Sequence, residues 1–250
     1  MIKLQCGDSI EIMTTFLDDS FDLCLTDPPY NLGIDYGSYW NDNLSYEEYK
    51  DWSKQWFTEA KRISKCLIFT PGWNNLKMWL TEIEYPKGIM IWVVKNQCSH
   101  SNVGGNNMWE PILVYGKSAI QKNVFEYPMS VQRLHKEHRH PVPKQLLFFR
   151  DILRMTKKIN TVIDPFLGSG TTAIACKLLG KDCVGIDINP NYIRDSQIKV
   201  DNAQSGNIHN YIKDEQIKFD DEQSEDIDDY IEDTQIKVED TQRRSIDNWI

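Results

Sequence analysis

The sequence predicts an α/β fold followed by an acidic repeat tail, and three stretches support this prediction. LCLTDPPY, residues 23–30, begins as a buried strand and ends in a proline pair. TVIDPFLGSGTT, residues 161–172, has the pattern of a strand, a glycine turn and a helix start, and a second apolar strand then ends at Asp187. From Asn191 onward a 19-residue unit recurs. A chain of 250 residues is long enough for one large α/β domain with an appendage.

The hydrophobic pattern predicts the other elements in chain order. Residues 2–5 form a candidate strand, and Asp8 is a candidate N-cap of the helix that follows. Residues 31–43, rich in Gly, Asn and aromatic side chains, are predicted to be a mobile flap. Residues 47–64 form an amphipathic helix whose aromatic stripe is expected to pack against the sheet rather than bind nucleic acid. That stripe consists of Trp52, Trp56 and Phe57, and further strands are predicted at residues 66–70, 89–94 and 109–116.

The DPPY stretch places two hydrogen-bond acceptors next to an aromatic ring. Proline lacks an N–H, so the chain must leave the sheet at Asp27, and the two X-Pro steps leave the carbonyl of Pro28 pointing outward. Two acceptors beside Tyr30 suit a planar ring with an exocyclic NH2 group, as in adenine or cytosine. Hydrogen bonds to both oxygens would also stabilise the positive charge that develops when this amine attacks. The same four letters are typical of an ordinary turn, and alone they do not separate the two interpretations.

The second stretch indicates a nucleoside-binding site. Gly168 and Gly170 permit a tight turn and a close approach of the backbone to a ligand, and helical spacing starts at Thr171. Asp187 closes the next strand, where a carboxylate can bind ribose hydroxyls. The third glycine of the dinucleotide fingerprint is replaced by Ala173, which favours a nucleoside cofactor without a pyrophosphate.

These residues resemble the S-adenosylmethionine-dependent amino-methyltransferases of DNA, which methylate adenine N6 or cytosine N4. DPPY resembles the catalytic motif of that family, DPFLGSGTT resembles its cofactor loop, and their order resembles the circularly permuted beta group. The resemblance implies a Rossmann-like methyltransferase sheet, mostly parallel with an antiparallel edge strand, and S-adenosyl-L-methionine as cofactor. It assigns catalysis to Asp27, Pro28, Pro29 and Tyr30. It assigns cofactor binding to Asp8, Asp164, Pro165, Phe166, Gly168, Gly170, Thr171 and Asp187.

The family resemblance implies base flipping in duplex DNA and methyl transfer to one exocyclic nitrogen. Adenine N6 is preferred because an aspartate leads the motif, whereas a serine there more often accompanies cytosine in this family. Cytosine N4 methylation is the alternative. A module that binds DNA and cofactor without catalysis is disfavoured because every motif position is filled. An RNA or protein amino-methyltransferase is disfavoured because those relatives carry the cofactor loop first.

Charge divides the chain into two predicted parts. Residues 1–194, the predicted catalytic domain, hold 21 acidic and 22 basic side chains, whereas residues 195–250 hold 16 and 6. The resemblance places target recognition at about residues 96–139, and residues 133–158 form a basic stripe suited to phosphate contact. The repeat tail is predicted to be a solvated, disordered or weakly helical segment. A self-associating helical array and an acidic competitor of DNA for the basic stripe stay as alternatives.

Cysteine and histidine usage favours a reduced, cytoplasmic protein without a metal site. The six cysteines are dispersed and form no C-x-x-C pair. Three histidines cluster at His135, His138 and His140, but acidic or cysteine partners at ligand spacing are missing, so phosphate contact is preferred there. No stretch predicts a signal peptide or a membrane span. A cognate restriction endonuclease and a homodimer fit the family and are not decided by the sequence.

Overall fold

The computed structural model describes residues 1–94, 107–117, 122–127, 146–156 and 158–203. The chain divides into two units, Met1–Gly206 and Asn207–Ile250, and every described residue belongs to the first. Most of the predicted target-recognition region, the histidine cluster and all but the first repeat lie outside the described residues. The last helix, Pro190–Asn202, runs across the predicted boundary between residues 194 and 195, and the domain division stays a prediction.

Eight strands of the described residues form a single sheet in the order β1-β8-β7-β2-β3-β5-β4-β6. Their bounds are β1 Ile2–Cys6, β2 Leu23–Thr26, β3 Cys66–Phe69, β4 Gly88–Val93, β5 Trp109–Gly116, β6 Val124–Glu126, β7 Thr161–Asp164 and β8 Asp182–Asp187. Every residue of β2 and of β3 is buried, as expected for central strands of a sheet that is covered on both faces.

The sheet is mostly parallel, which confirms the predicted α/β class. The first five strands in the order, β1 to β3, pair in parallel, with Leu23 opposite Val162 and Asp164 opposite Gly185. The antiparallel strand was expected at the edge, and this detail was wrong. It is β5, which pairs antiparallel with both β3 and β4, and β6 then adds to β4 in parallel at the edge.

The helices of the described residues cover the sheet with apolar faces. Their bounds are α1 Ser9–Thr14, α2 Tyr46–Ile63, α3 Leu76–Met78, α4 Leu146–Met155, α5 Thr171–Leu178 and α6 Pro190–Asn202. A π-helical turn, Trp79–Ile83, continues α3. A capping box between Ser45 and Glu48 starts α2, and its buried residues recur every three or four positions, as an amphipathic helix requires. No described helix is both long enough and apolar enough to cross a membrane.

The core explains the predicted aromatic stripe of α2 only in part. Trp56 is fully buried, Phe57 is 4% exposed, and both contact the ring of Phe69 on β3. Trp52 is only partly buried and turns its ring toward the edge of the sheet where the parallel strands end. Of the cysteines within the described ranges, four are buried free thiols, at Cys24, Cys66, Cys176 and Cys183.

The parallel arrangement brings distant segments of the chain to one edge of the sheet. The carboxyl ends of β1, β8, β7, β2 and β3 are neighbours at this edge, where ligands of open α/β sheets bind. Asp8 follows β1, Asp187 ends β8, Asp164 ends β7 and Asp27 follows β2. The two motifs are therefore adjacent in the fold although more than a hundred residues separate them in the chain.

Candidate active site

A cleft of about 380 Å³ lies at the carboxyl edge of the parallel strands. Eleven of the twelve residues assigned from the sequence line this cleft, and Gly170 does not. The eleven are Asp8, Asp27, Pro28, Pro29, Tyr30, Asp164, Pro165, Phe166, Gly168, Thr171 and Asp187. The predicted catalytic and cofactor residues thus share one cavity, and their individual roles stay predictions.

Two hydroxyl groups hold the carboxylate of Asp27. The Tyr30 hydroxyl and the Thr70 hydroxyl each donate to Asp27 Oδ1, and the two hydroxyl oxygens are 2.9 Å apart. Burial raises the pKa of Tyr30 well above its ordinary value, and the charges of Asp27 and Glu110 raise it further. Tyr30 therefore keeps its proton and remains a donor to the carboxylate.

The carbonyl groups of the motif are treated unequally by their surroundings. The Tyr49 hydroxyl on α2 donates to the carbonyl of Pro29 at 2.9 Å, and the Asn75 side-chain amide donates to the carbonyl of Tyr30 at 2.8 Å. No described residue donates to the carbonyl of Pro28. The oxygen that the sequence selected as an acceptor for a ligand is thus left without a partner from the described part of the protein.

The ring of Tyr30 is supported by Gly72. A Cβ atom added to Gly72 would lie 2.8 Å from Tyr30 Cγ, so the backbone of Gly72 packs directly on the ring. Both residues line the cleft. Only glycine permits this close contact, since its φ of +71° also belongs to the left-handed region.

Backbone amides fix the carboxylate of Asp187. The amide of Gly168 donates to Oδ2 at 2.8 Å, and the amide of Asn189 donates to Oδ1 at 2.8 Å. Burial raises the pKa of Asp187, and these two amides oppose that rise. Each oxygen has a further lone pair for a ligand hydroxyl. The glycine turn therefore orients the carboxylate that the sequence assigned to ribose binding.

Asp164 is a buried junction between the two motif strands. Its Oδ1 accepts hydrogen bonds from the Thr26 hydroxyl at 2.6 Å and from the Phe166 amide at 3.1 Å, and its side chain is 2% exposed. Burial raises the pKa of Asp164 to about 6, although hydrogen bonds from Thr172, Thr26 and Phe166 oppose the rise. This residue fastens the cofactor turn to the strand that leads into Asp27.

Gly170 supports a helix rather than the cleft. Its φ is +87°, and an added Cβ would lie 2.7 Å from Ser196 Oγ and 2.8 Å from Ser196 Cβ on α6. The Ser196 hydroxyl also donates to the carbonyl of Gly168 at 3.1 Å. The structure therefore explains this glycine by the close approach of α6, a packing requirement that the turn pattern alone did not reveal.

Asp8 occupies both positions that the sequence suggested. Its carboxylate accepts hydrogen bonds from the amides of Ile10 and Glu11, which confirms it as the N-cap of α1. It also lines the cleft, next to the end of β8. A cap at this place can therefore still meet a ligand.

An aromatic wall of the cleft was missed from the sequence. Trp52 lies 4.6 Å from Trp40 and 5.5 Å from Phe166, measured between ring centroids, and all three line the cleft. Tyr36 and Tyr39 complete the wall. The signal was present in Trp52, which lies one helical turn before Trp56, but the stripe was interpreted only as packing.

The loop that carries this wall has a defined conformation, where the sequence predicted a mobile flap. Asp42 is 3% exposed, and its carboxylate accepts hydrogen bonds from three backbone amides. These donors are Asn31 at 2.9 Å, Leu32 at 3.0 Å and Ile34 at 3.0 Å. One buried carboxylate thus closes the segment onto itself and places its aromatic side chains at the cleft.

Comparison with known proteins adds a family and a fold. A family model described as DNA methylase matches residues 21–199. Type II methyltransferase M.HpaI of Haemophilus parainfluenzae is 28% identical over 239 residues, which cover 82% of this chain and 76% of that protein. The PvuII DNA methyltransferase (cytosine-N4-specific) has a similar structure, with a TM-score of 0.62, 17% identity, and coverage of 85% of this chain and 92% of that one. The M1.HpyAVI–SAM complex has a TM-score of 0.57, 21% identity, and coverage of 79% and 98%. At these identities the two structures support the fold alone.

Proposed function

The chain belongs to the DNA methylase family, and from that membership we propose that it transfers a methyl group from S-adenosyl-L-methionine to adenine N6 in a specific duplex DNA sequence. The observation that carries this proposal is the position of Asp27 and the Pro28 carbonyl in the same cleft as the Gly168 turn and Asp187. An acceptor pair for an amine and a nucleoside site then face one cavity.

The residues of the cleft fit S-adenosylmethionine. Asp187, with both oxygens oriented by backbone amides, would bind the ribose hydroxyls. Phe166 and Trp52 offer apolar faces for the adenine ring of the cofactor, and Asp8 offers an acceptor for its amine. The cofactor supplies an electrophilic methyl group on a sulfonium, whose sulfur leaves as a neutral thioether. The absence of a pyrophosphate in this molecule agrees with the shortened glycine pattern.

The protein orients the attacking amine of the target base. Asp27 and the Pro28 carbonyl each accept one N–H, which aims the nitrogen lone pair along a single direction. Their negative charge stabilises the positive charge that grows on the nitrogen as the new bond forms. The open face of Tyr30, opposite Gly72, would stack on the ring of the flipped base. Positioning of the amine, together with this charge stabilisation, accounts for the rate in the proposed mechanism.

Adenine is proposed as the target base because an aspartate leads the motif. The same acceptor pair can bind the exocyclic amine of cytosine, so cytosine N4 is the second candidate. The test is incubation of the protein with tritiated S-adenosylmethionine and DNA, RNA or protein, followed by mass analysis of the nucleosides from labelled DNA. We expect label in duplex DNA and N6-methyladenine in the digest. N4-methylcytosine would replace adenine as the target, and label in RNA or protein alone would refute the proposal.

The remaining assignments follow from the proposed activity. The relative M.HpaI is named as a Type II methyltransferase, which supports a cognate restriction endonuclease as a functional partner. A cytoplasmic location follows because duplex DNA and the cofactor are both found there. The proposal predicts that DNA methylated by this protein resists cleavage in extracts of the source cells. Light scattering at several protein concentrations would separate the proposed homodimer from a monomer.

A further inference from the structure

The segment that follows β3 contacts the DPPY motif at three points. TPGWNN, Thr70 to Asn75, was not assigned any role from the sequence, yet four of its six residues line the cleft. The Thr70 hydroxyl donates to Asp27, Gly72 packs on the ring of Tyr30, and the Asn75 amide donates to the carbonyl of Tyr30. Each contact restrains a different group of the motif.

The side chain of Asn75 shows that these contacts are selective. Asn75 is the residue before α3, a position where an asparagine side chain normally accepts a hydrogen bond from the first turn of the helix. It makes no such bond and instead directs its amide to the carbonyls of Tyr30 at 2.8 Å and Pro71 at 3.3 Å. The usual cap is given up for a contact with the motif.

Thr70 is the most rigid anchor of the three. It follows directly on β3, which pairs with both β2 and β5, and it is 3% exposed. Tyr30, the other hydroxyl donor to Asp27, belongs to the motif itself and would move with it. A carboxylate held only by Tyr30 could rotate together with that ring, whereas the bond from Thr70 ties it to the central sheet.

We infer that Thr70 is a positioning residue that holds the Asp27 carboxylate in the orientation required for methyl transfer, with Gly72 and Asn75 fixing the rest of the motif. This inference rests on the proposed function. Because Thr70 touches Asp27 and is not placed against the cofactor or the base, its loss should slow the chemical step and leave ground-state binding almost unchanged.

The test compares Thr70→Val, which removes only the hydroxyl, with Thr70→Ser, which keeps it. We expect Thr70→Val to lower kcat at least about tenfold while KM for DNA and for S-adenosylmethionine changes less than about threefold. Thr70→Ser should stay within about threefold of the parent protein. Thr156→Val is the matched control, because it removes another buried hydroxyl, bonded to the Ile152 carbonyl and remote from the motif.

Two results would overturn the inference. One is a folded Thr70→Val protein with a kcat within about twofold of the parent, and the other is a Thr70→Ser protein as slow as Thr70→Val. Should Thr70→Val fail to fold, Thr70→Ala is read by the same criteria.

A double-mutant cycle for thermal unfolding, with Thr70→Val and Asp27→Asn, measures the contact without any activity assay. Non-additive effects are expected, and additive effects would overturn the inference. A parent protein that methylates no DNA would instead refute the proposed function.

Discussion

Replacing Gly170 with alanine tests the structural role that the fold gives to this glycine. A residue with a Cβ in the left-handed region costs about 1 to 2 kcal/mol, and the φ of Gly170 is +87°. The new Cβ would also lie 2.7 Å from Ser196 Oγ and 2.8 Å from Ser196 Cβ, so α6 must shift. Overpacking of this kind costs about 1 to 3 kcal/mol, which gives a total of about 2 to 5 kcal/mol.

Urea unfolding measures this loss, and two variants separate its parts. Gly180→Ala carries the same left-handed strain at φ +65° but meets nothing within 4 Å, so it should cost only about 1 to 2 kcal/mol. In a Ser196→Gly background, Gly170→Ala should also cost about 1 to 2 kcal/mol because the overlap with Ser196 is gone. Titration calorimetry should find S-adenosylmethionine affinity of folded Gly170→Ala within about threefold of the parent.

The refuting result is a specific pattern of stability and binding. If Gly170→Ala were no less stable than Gly180→Ala but lost S-adenosylmethionine binding, the packing explanation would fail. The original assignment of Gly170 to the cofactor site would then be favoured.

Three further predictions concern the carboxylates of the cleft. Asp27→Ala should reduce methyl transfer at least about a hundredfold, measured with tritiated cofactor, because the acceptor of the amine is lost; its S-adenosylmethionine Kd should change less than about threefold, and unchanged transfer would reject the role of Asp27. Asp187→Ala should weaken S-adenosylmethionine binding by about 1.5 to 3 kcal/mol, since hydrogen bonds to a charged group are lost; calorimetry that finds the parent affinity would show that the ribose binds elsewhere. Burial raises the pKa of Asp164 from 3.8 to about 6, so the folded protein binds this proton more tightly than the unfolded chain. The parent should therefore lose up to about 3 kcal/mol of unfolding free energy relative to Asp164→Asn as the pH rises from about 4 to about 6; urea unfolding at both pH values measures the change, and a constant difference would contradict it.

The central strands could be predicted because burial on both faces produces continuous apolar runs. β2, β3 and β7 are short, but the prolines and glycines that follow them mark where each one ends. β6 was missed, since it has three residues and only Phe125 is buried. A strand whose burial depends on its neighbours leaves no periodic signal of its own.

The site could be predicted where one short motif contains its chemistry. Asp27 to Tyr30 and the Gly168 turn have that property. The support of the motif could not be predicted, because Thr70 and Asn75 contact it across 43 and 45 positions of the chain. Such contacts depend on which strands become neighbours in the sheet, and residue spacing does not contain this information. The hydrogen bonds that Asp42 makes within the aromatic loop escaped prediction because an aspartate in a polar segment is usually exposed.

The most direct test of the central claim is the structure of the protein with a non-reactive analogue of S-adenosylmethionine and a target DNA duplex. The account predicts a flipped base whose exocyclic nitrogen lies about 2.7 to 3.2 Å from both the Asp27 carboxylate and the Pro28 carbonyl oxygen. The analogue should bind beside Gly168 and Asp187 in the same cleft. An amine held by other groups, or a Pro28 carbonyl turned away from the base, would contradict the account.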